Sequence, residues 1–551
     1  MNATAKLFSI AFSILMLTTL AAAQGAASGD LHVTVKDPKG NLVTNANVTA
    51  REQAKGFERA SSLNREGEYR LLNLPPGKYT VVVEAPGFAK IEAKDVTVTV
   101  GQMAELPIAL AVAGTSETVT VSSEAEVVET QRTSSTDTIT QQRIENLPIN
   151  GRNYINFALT DSRLARDDTP SIGAAPTSGL NMSGQRARAN LVNVDGADAV
   201  DNSVNGIRST VSQEAVQEFQ IITNGYAAEY GRASGGVVNI ITRSGSDDFH
   251  GSAYGYVRNR NFQAVNPFST VSDPAYTRVQ TGAAFGGPIK KGKTYYYFSY
   301  EGTWRQETGF SSIGANNFGL VPFDTTPLGL NLGTLQLTPD QIGFLTNPAV
   351  LSQEQSDPKG FGGEVGTYAL LAGVSSGMAI NGSWPVSLVG VPGFSGFPTT
   401  CAPPGPCFVP SSYTPLQSIV GNFPVSERTD LYSLRLDHNF TSNHRLMLRG
   451  GVSPSDQTNA LSRTSTQNYH DWSITAQDQL TIGNNKVNEF RFQFARRGLL
   501  YGFSRAPGGG NVAVNIPGFA FFGREPFSFV NRTEQRYQAT DNFSISKGTH
   551  N

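Results

Sequence analysis

The segment whose residue types and spacing best fit a known chemistry is Gly287-Pro288-Ile289-Lys290-Lys291-Gly292-Lys293-Thr294. It matches the phosphate-binding expression Gly-x4-Gly-Lys-Thr. That loop works because a helix begins at its end and aims backbone N–H groups at phosphate. Here Thr294 opens Tyr-Tyr-Tyr-Phe-Ser-Tyr-Glu, an aromatic run that reads as a strand, and Pro288 removes one N–H donor. A basic turn between two strands explains the match better than nucleotide binding. The acidic set Asp195, Asp198 and Asp201 could attract a cation but lacks the spacing of a calcium loop, so it reads as a solvated loop. His32, His250, His438, His444, His470 and His550 are scattered, and there is no His-Glu-x-x-His. Cys401 and Cys407 lie in Cys-Ala-Pro-Pro-Gly-Pro-Cys with no further ligands for a metal nearby. A disulfide there would stiffen a loop tip. No catalytic set, metal site or cofactor is expected.

Composition bounds the elements that hold these residues. The 551 residues are 39% hydrophobic and only 16% charged, with 56 Gly and 9% aromatics. Lys+Arg 43 against Asp+Glu 45 gives no basic field, so nucleic acid is not implied. Lys6, the apolar stretch Leu7 to Leu20 and Ala21-Ala22-Ala23 read as a signal peptide over 1–23. No later apolar run is long enough for a membrane helix.

Short alternating strands follow. Leu31, Val33 and Val35, then Val48 and Ala50, then Tyr79, Val81 and Val83, then Val96, Val98 and Val100 suggest a small β-sandwich over 29–112. Gly67-Glu68-Tyr69-Arg70-Leu71 and Leu74-Pro75-Pro76-Gly77-Lys78-Tyr79-Thr80-Val81 resemble the carboxypeptidase regulatory-like domain, a relative of starch-binding sandwiches. The resemblance implies the fold. All three Trp lie beyond residue 300, so no Trp platform for sugar can be picked out in it.

Glu218 to Gly245 carries the most information. The β-branched run Phe219, Ile221, Ile222 meets a Gly/Ala-rich turn, and Val237, Val238, Ile240 and Ile241 follow. With Ala228-Glu229-Tyr230-Gly231 before Gly235-Gly236-Val237-Val238-Asn239-Ile240-Ile241-Thr242, it resembles the end of the plug domain in TonB-dependent outer-membrane receptors. Leu147-Pro148-Ile149-Asn150-Gly151-Arg152 resembles the Leu-Pro-x-Asn-Gly-Arg signature of their Oar-like branch. Leu191-Val192-Asn193-Val194-Asp195-Gly196 matches a plug strand ending in Asp-Gly. An α/β plug is therefore expected over 136–245, with short helices over 140–147 and, capped by Ser212, over 213–218. Arg152, Arg186 and Asp195 are its candidate polar contacts to a surrounding barrel. Thr223-Asn224-Gly225 stands where the family more often has Arg-Gly-Pro, a mild departure.

The connector 113–135 contains Glu117-Thr118-Val119-Thr120-Val121, which resembles a TonB box. The resemblance implies that this segment pairs with the energising protein TonB by strand addition. A plain linker strand or the last strand of the sandwich is the alternative. After residue 245 the alternation becomes that of a membrane barrel. Phe490, Phe492 and Phe494 share one parity, and Glu489, Arg491 and Gln493 the other. Tyr296, Phe298 and Tyr300 oppose Tyr297, Ser299 and Glu301 in the same way. A Gly/Pro/Ser-rich region over about 311–425 reads as an outer loop.

The expected fold class is mostly β: signal peptide, sandwich, plug, and over 246–551 the first part of an antiparallel transmembrane barrel. Family barrels have about 22 strands and this stretch has room for about eight to ten, so a truncated product is expected. The resemblance implies an outer-membrane, non-enzymatic receptor that binds an extracellular ligand (oligosaccharide, peptide or metal chelate) and imports it with energy from TonB. The partners it implies are TonB, outer-membrane lipid and that ligand. The other reading is a surface adhesion or polysaccharide-binding protein without active transport.

Overall fold

The computed structural model describes residues 28–63, 67–112, 119–122, 134–146, 149, 152–167, 179–202, 206–208, 211–226, 230–265, 274–311, 321–324, 326, 334–337, 339–356, 421–458, 466–483, 485–502, 513–516, 520–523 and 530–545. The signal segment, both cysteines, Glu117 and Thr118 lie outside them.

Alternation in the first unit produces nine strands: β1 Gly29–Lys36, β2 Asn47–Glu52, β3 Phe57–Ala60, β4 Ser62–Leu63, β5 Glu68–Leu74, β6 Gly77–Glu84, β7 Ile91–Val98, β8 Met103–Ala109 and β9 Val119–Ser122. They form sheets β4-β5-β1-β8 and β3-β2-β6-β7-β9. Leu31, Val33 and Val35 pack in one core with Tyr79, Val81 and Val83 from the other sheet. This is the packing that two amphipathic sheets require.

The middle unit holds β10 Ser135–Ile139, β11 Leu164–Arg166, β12 Leu180–Met182, β13 Leu191–Val194, β14 Ala197–Asp198, β15 Val216–Asn224 and β16 Val237–Thr242. Its main sheet runs β10-β15-β16-β13-β14, with β13 and β16 parallel. Every residue of β16 is buried, because the sheet is covered on both faces. The expected first helix forms over Gln141–Asn146. The expected second one does not: Gln213–Ala215 makes one 3-10 turn and Val216 already enters β15. Pairing with β16 outweighs the weak helix preference of six residues.

The last unit contains β17 His250–Asn259, β18 Tyr276–Lys290, β19 Thr294–Ser311, β20 Val321–Asp324, β21 Thr334–Leu337, β22 Gly421–Thr441, β23 His444–Thr458, β24 Thr466–Ile482, β25 Lys486–Tyr501, β26 Ala513–Ile516, β27 Ala520–Gly523 and β28 Val530–Ile545. Eight of these form one antiparallel sheet in the order β17-β18-β19-β22-β23-β24-β25-β28. Tight turns join them at one end: Lys290 to Thr294, Thr441 to His444 and Ile482 to Lys486. The phosphate-loop match is the first of these turns, with Gly292 at φ +70° and a strand on either side. Long connections lie at the other end. Two short helices, Pro339–Leu345 and Pro348–Ser356, fall in the longest. Among the described residues no helix is long and apolar enough to cross a membrane, which says nothing of strands.

The two faces of this sheet differ as the parity requires. Phe490 and Phe492 are 44% and 41% exposed, while Glu489, Arg491 and Gln493 are 4%, 2% and 2% exposed beneath the middle unit. With the apolar face in lipid, Phe492→Arg is expected to cost about 2–4 kcal/mol if it lies near the bilayer midplane. Phe492→Leu keeps the face apolar and should cost less than about 1.5 kcal/mol. Urea titrations of the folded protein in lipid would measure both, and equal costs would contradict the lipid-facing assignment.

Candidate functional site

The polar face of the sheet and the middle unit meet through three groups of charged side chains. The first centres on the turn between β13 and β14. Asp195 and Gly196 both adopt positive φ, +50° and +72°, as a two-residue hairpin turn demands. The Thr242 N–H and hydroxyl each donate to the Asp195 carboxylate at 2.9 Å. Arg449 Nε of β23 lies 2.8 Å from Asp195 and Arg435 Nη1 of β22 lies 3.6 Å away. Arg435 and Arg445 also hold Asp437, at 2.8 and 2.7 Å, and Ser244 donates to it at 2.7 Å. The Gly196 carbonyl accepts from Arg491 of β25 at 3.2 Å, and a Cβ on Gly196 would collide with that guanidinium.

The second group surrounds Arg152, whose own φ is +54°. Its guanidinium lies 3.2 Å from Glu301 of β19 and 2.7 Å from Glu214, and 3.9 Å above the Tyr254 ring. Tyr254 donates to the same Glu301 at 2.5 Å.

The third group lies toward the long connections. Arg497 of β25 joins Asp201 at 2.6 Å and Asp471 at 2.8 Å and donates to the Ile207 carbonyl at 2.7 Å. Asp198 pairs with Arg232 at 2.8 Å and with Arg536 of β28. Arg208 donates to the carbonyls of Val200 and Asp198 at 2.8 and 2.6 Å. Burial, with Arg536 close by, pushes the Arg208 guanidinium down to about 10.

Of the residues singled out in the sequence, Arg152 and Asp195 both reach the sheet. Arg186 does not: it is exposed, and no side-chain contact to the sheet is found for it among the described residues. The acidic set is not a solvated loop either, since Asp195, Asp198 and Asp201 are each at most 2% exposed. Arginines from strands more than 200 residues later bury them. Reading for inward parity finds Arg435, Arg491 and Glu301 on the sheet, but nothing local pairs them with their partners in the middle unit. Among the described residues no group of three His, Cys, Asp or Glu could hold a metal ion.

The segment resembling a TonB box is described only in part. Val119 to Ser122 form β9, which pairs in parallel with β7, Val119 opposite Ile91 and Val121 opposite Ala93. Three of that segment's five residues, Val119 to Val121, therefore lie in an edge strand of the sandwich.

Comparison with known proteins places this geometry. The family described as "Outer membrane beta barrel domain" matches residues 241–551. The carboxypeptidase regulatory-like domain matches residues 30–111. The TonB-dependent transporter Oar of Myxococcus xanthus is 26% identical over 263 residues, 46% of this chain and 24% of Oar. Among solved structures, the outer membrane transporter YddB of Escherichia coli superposes with a TM-score of 0.44 at 8% identity, over 75% of this chain and 45% of that one. A mutant of the ferric enterobactin receptor PfeA of Pseudomonas aeruginosa gives 0.39 at 13% identity, over 74% and 45%. This chain thus spans about a quarter of the length of Oar and less than half of those two receptor chains.

Proposed function

We propose, from the premise that this chain belongs to the family of outer membrane beta barrel domains, that it is a receptor that binds an extracellular ligand and imports it with energy transduced by TonB. It resides in the outer membrane. The observation that carries the reading is the character of the contact between its middle unit and the barrel strands. Asp195, Arg152, Asp198 and Asp201 meet the strands through ion pairs. Buried ion pairs fix geometry strongly but add little net stability over apolar packing. Such a plug keeps one position at rest, and its polar faces can be wetted when it is pulled. Apolar packing of the same area would resist both. The likeness to Oar, a TonB-dependent transporter, supports the same reading. Arg152 and Asp195 serve as plug–barrel contacts, and Glu117 to Val121 receive the pull.

A surface adhesin is the second reading. The pairing of Val119–Ser122 with the sandwich favours it, because an ordinary last strand would look the same. The two readings separate on energy dependence. Cells carrying the protein would be offered labelled oligosaccharides, peptides and metal chelates, with and without an uncoupler. An importer depletes one of these from the medium and stops when the proton-motive force collapses. Binding that the uncoupler leaves unchanged, with no internalisation, is the adhesin result.

A further inference from the structure

The sandwich is seated on the short-turn end of the barrel, which in such barrels faces the periplasm. Its own backbone takes part in several of the hydrogen bonds that hold it there. Glu218 of β15 accepts from the Val100 N–H at 2.6 Å, and Gln220, two residues on, donates to the Val100 carbonyl at 3.0 Å. Residues two apart share a strand face, so the pair holds both the N–H and the C=O of one residue, Val100. Gly101 makes this possible: its φ is +62°, and a Cβ there would lie 2.8 Å from both terminal atoms of the Gln220 amide. Gln217 donates to the Pro76 carbonyl at 2.8 Å. From the barrel, Gln479 donates to the Asn73 carbonyl at 3.0 Å and Asn439 to the Lys55 carbonyl at 3.1 Å. The Asp247 N–H donates to the Ala54 carbonyl at 2.7 Å. Sandwich, middle unit and barrel strands meet around a partly open cavity of about 50 Å³, with Lys55, Gln217, Asp195, Arg435, Arg445 and Glu489 in its lining.

We propose that the sandwich is a proton-linked cap: it closes the periplasmic side of the seam between plug and barrel, and the proton on Glu218 governs whether it stays seated. The seat itself follows from the contacts, while closure of an import route rests on the receptor reading. Glu218 is 6% exposed and faces few charges. On the sandwich side these are Lys55 and its ion-pair partner Glu52, 2.7 Å apart. On β16 the residue opposite is Ile241. Asp195, Arg435, Arg445 and Glu489 line the neighbouring cavity, whose wall includes Gln217 but not Glu218. Burial pushes the Glu218 carboxyl up to about 7, against the weaker opposing pull of the Val100 N–H and Lys55. Unseating the sandwich exposes Glu218 and returns it toward 4.5. A pKa raised in the seated state means that seating is strongest in acid. Its equilibrium constant falls by up to about tenfold per pH unit as pH rises from about 4.5 toward about 7, and levels off above.

The test is fluorescence energy transfer in the full-length protein in lipid nanodiscs. Dyes would sit at Lys39→Cys on the sandwich and Lys291→Cys on the barrel turn, both exposed, in a Cys401→Ser, Cys407→Ser background. A single high-transfer population is expected at pH 5. A low-transfer population should grow by up to about tenfold per pH unit toward pH 7 and then plateau. Glu218→Gln cannot ionise and should hold one transfer level from pH 5 to 9. Lys55→Met removes a charge that favours the ionised form, so its transition should move to higher pH, which keeps the idea testable if Glu218→Gln fails to assemble. Transfer in the unsubstituted protein that is flat from pH 5 to 9, or a Glu218→Gln curve that follows it, overturns the proposal. Neither outcome depends on whether the protein transports anything.

Discussion

Asp195→Ala is expected to loosen the plug from the barrel by about 3–5 kcal/mol, the usual effect of removing one partner from a buried ion pair. Arg449 is fully buried and lies 2.8 Å from Asp195, so the alanine would leave its guanidinium without that carboxylate. Arg435 keeps Asp437 and compensates only in part. The Thr242 N–H and hydroxyl lose their acceptor as well. Arg186→Ala is the control, because Arg186 is exposed, and its cost should stay within about 0.5 kcal/mol. A double variant, Asp195→Asn with Arg449→Met, should recover part of the loss, since it removes the orphaned guanidinium while the amide oxygen still accepts from Thr242 and asparagine tolerates the positive φ. The measurement is the urea midpoint at which trypsin begins to cut the plug in the assembled protein. If Asp195→Ala and Arg186→Ala shift it equally, the ion pair does not hold the plug.

The sequence carried the fold wherever one period ran unbroken. Phe490-Arg491-Phe492-Gln493 alternates cleanly, and the structure puts its phenylalanines outward and its polar residues inward. The Tyr295 run excluded a phosphate loop for the same reason, because a strand cannot offer a helix N-terminus. Partnership across distance was not legible. Asp195, Asp198 and Asp201 look like solvated acids until β23, β25 and β28 bring arginines onto them. The six residues 213–218 pass for a helix because their pairing partner, β16, lies about twenty residues further on. Arg186 carries the charge expected of a barrel contact, but its turn leaves it exposed to solvent. The box-like segment shows a further limit: a β-branched stretch pairs with any open edge, and here the nearest edge is β7.

That ambiguity sets the remaining prediction. If Glu117 to Val121 add as a strand to TonB, the affinity comes from main-chain hydrogen bonds. Proline deletes a donor and is excluded from the interior of a paired strand. Val119→Pro should therefore abolish pairing, while Thr118→Ala, which spares the backbone, should leave it nearly intact. Side-chain recognition would give the reverse ranking. The substitution also breaks the pairing of Val119 with Ile91, so a loss cannot be assigned to tighter masking by the sandwich. The measurement is disulfide trapping in living cells between Val121→Cys and a cysteine series along the periplasmic domain of TonB. The account predicts a trapped complex for Val121→Cys alone, the same complex with Thr118→Ala added, and none with Val119→Pro added. A complex that survives Val119→Pro, or the lack of any complex at positions 117 to 121, would contradict it.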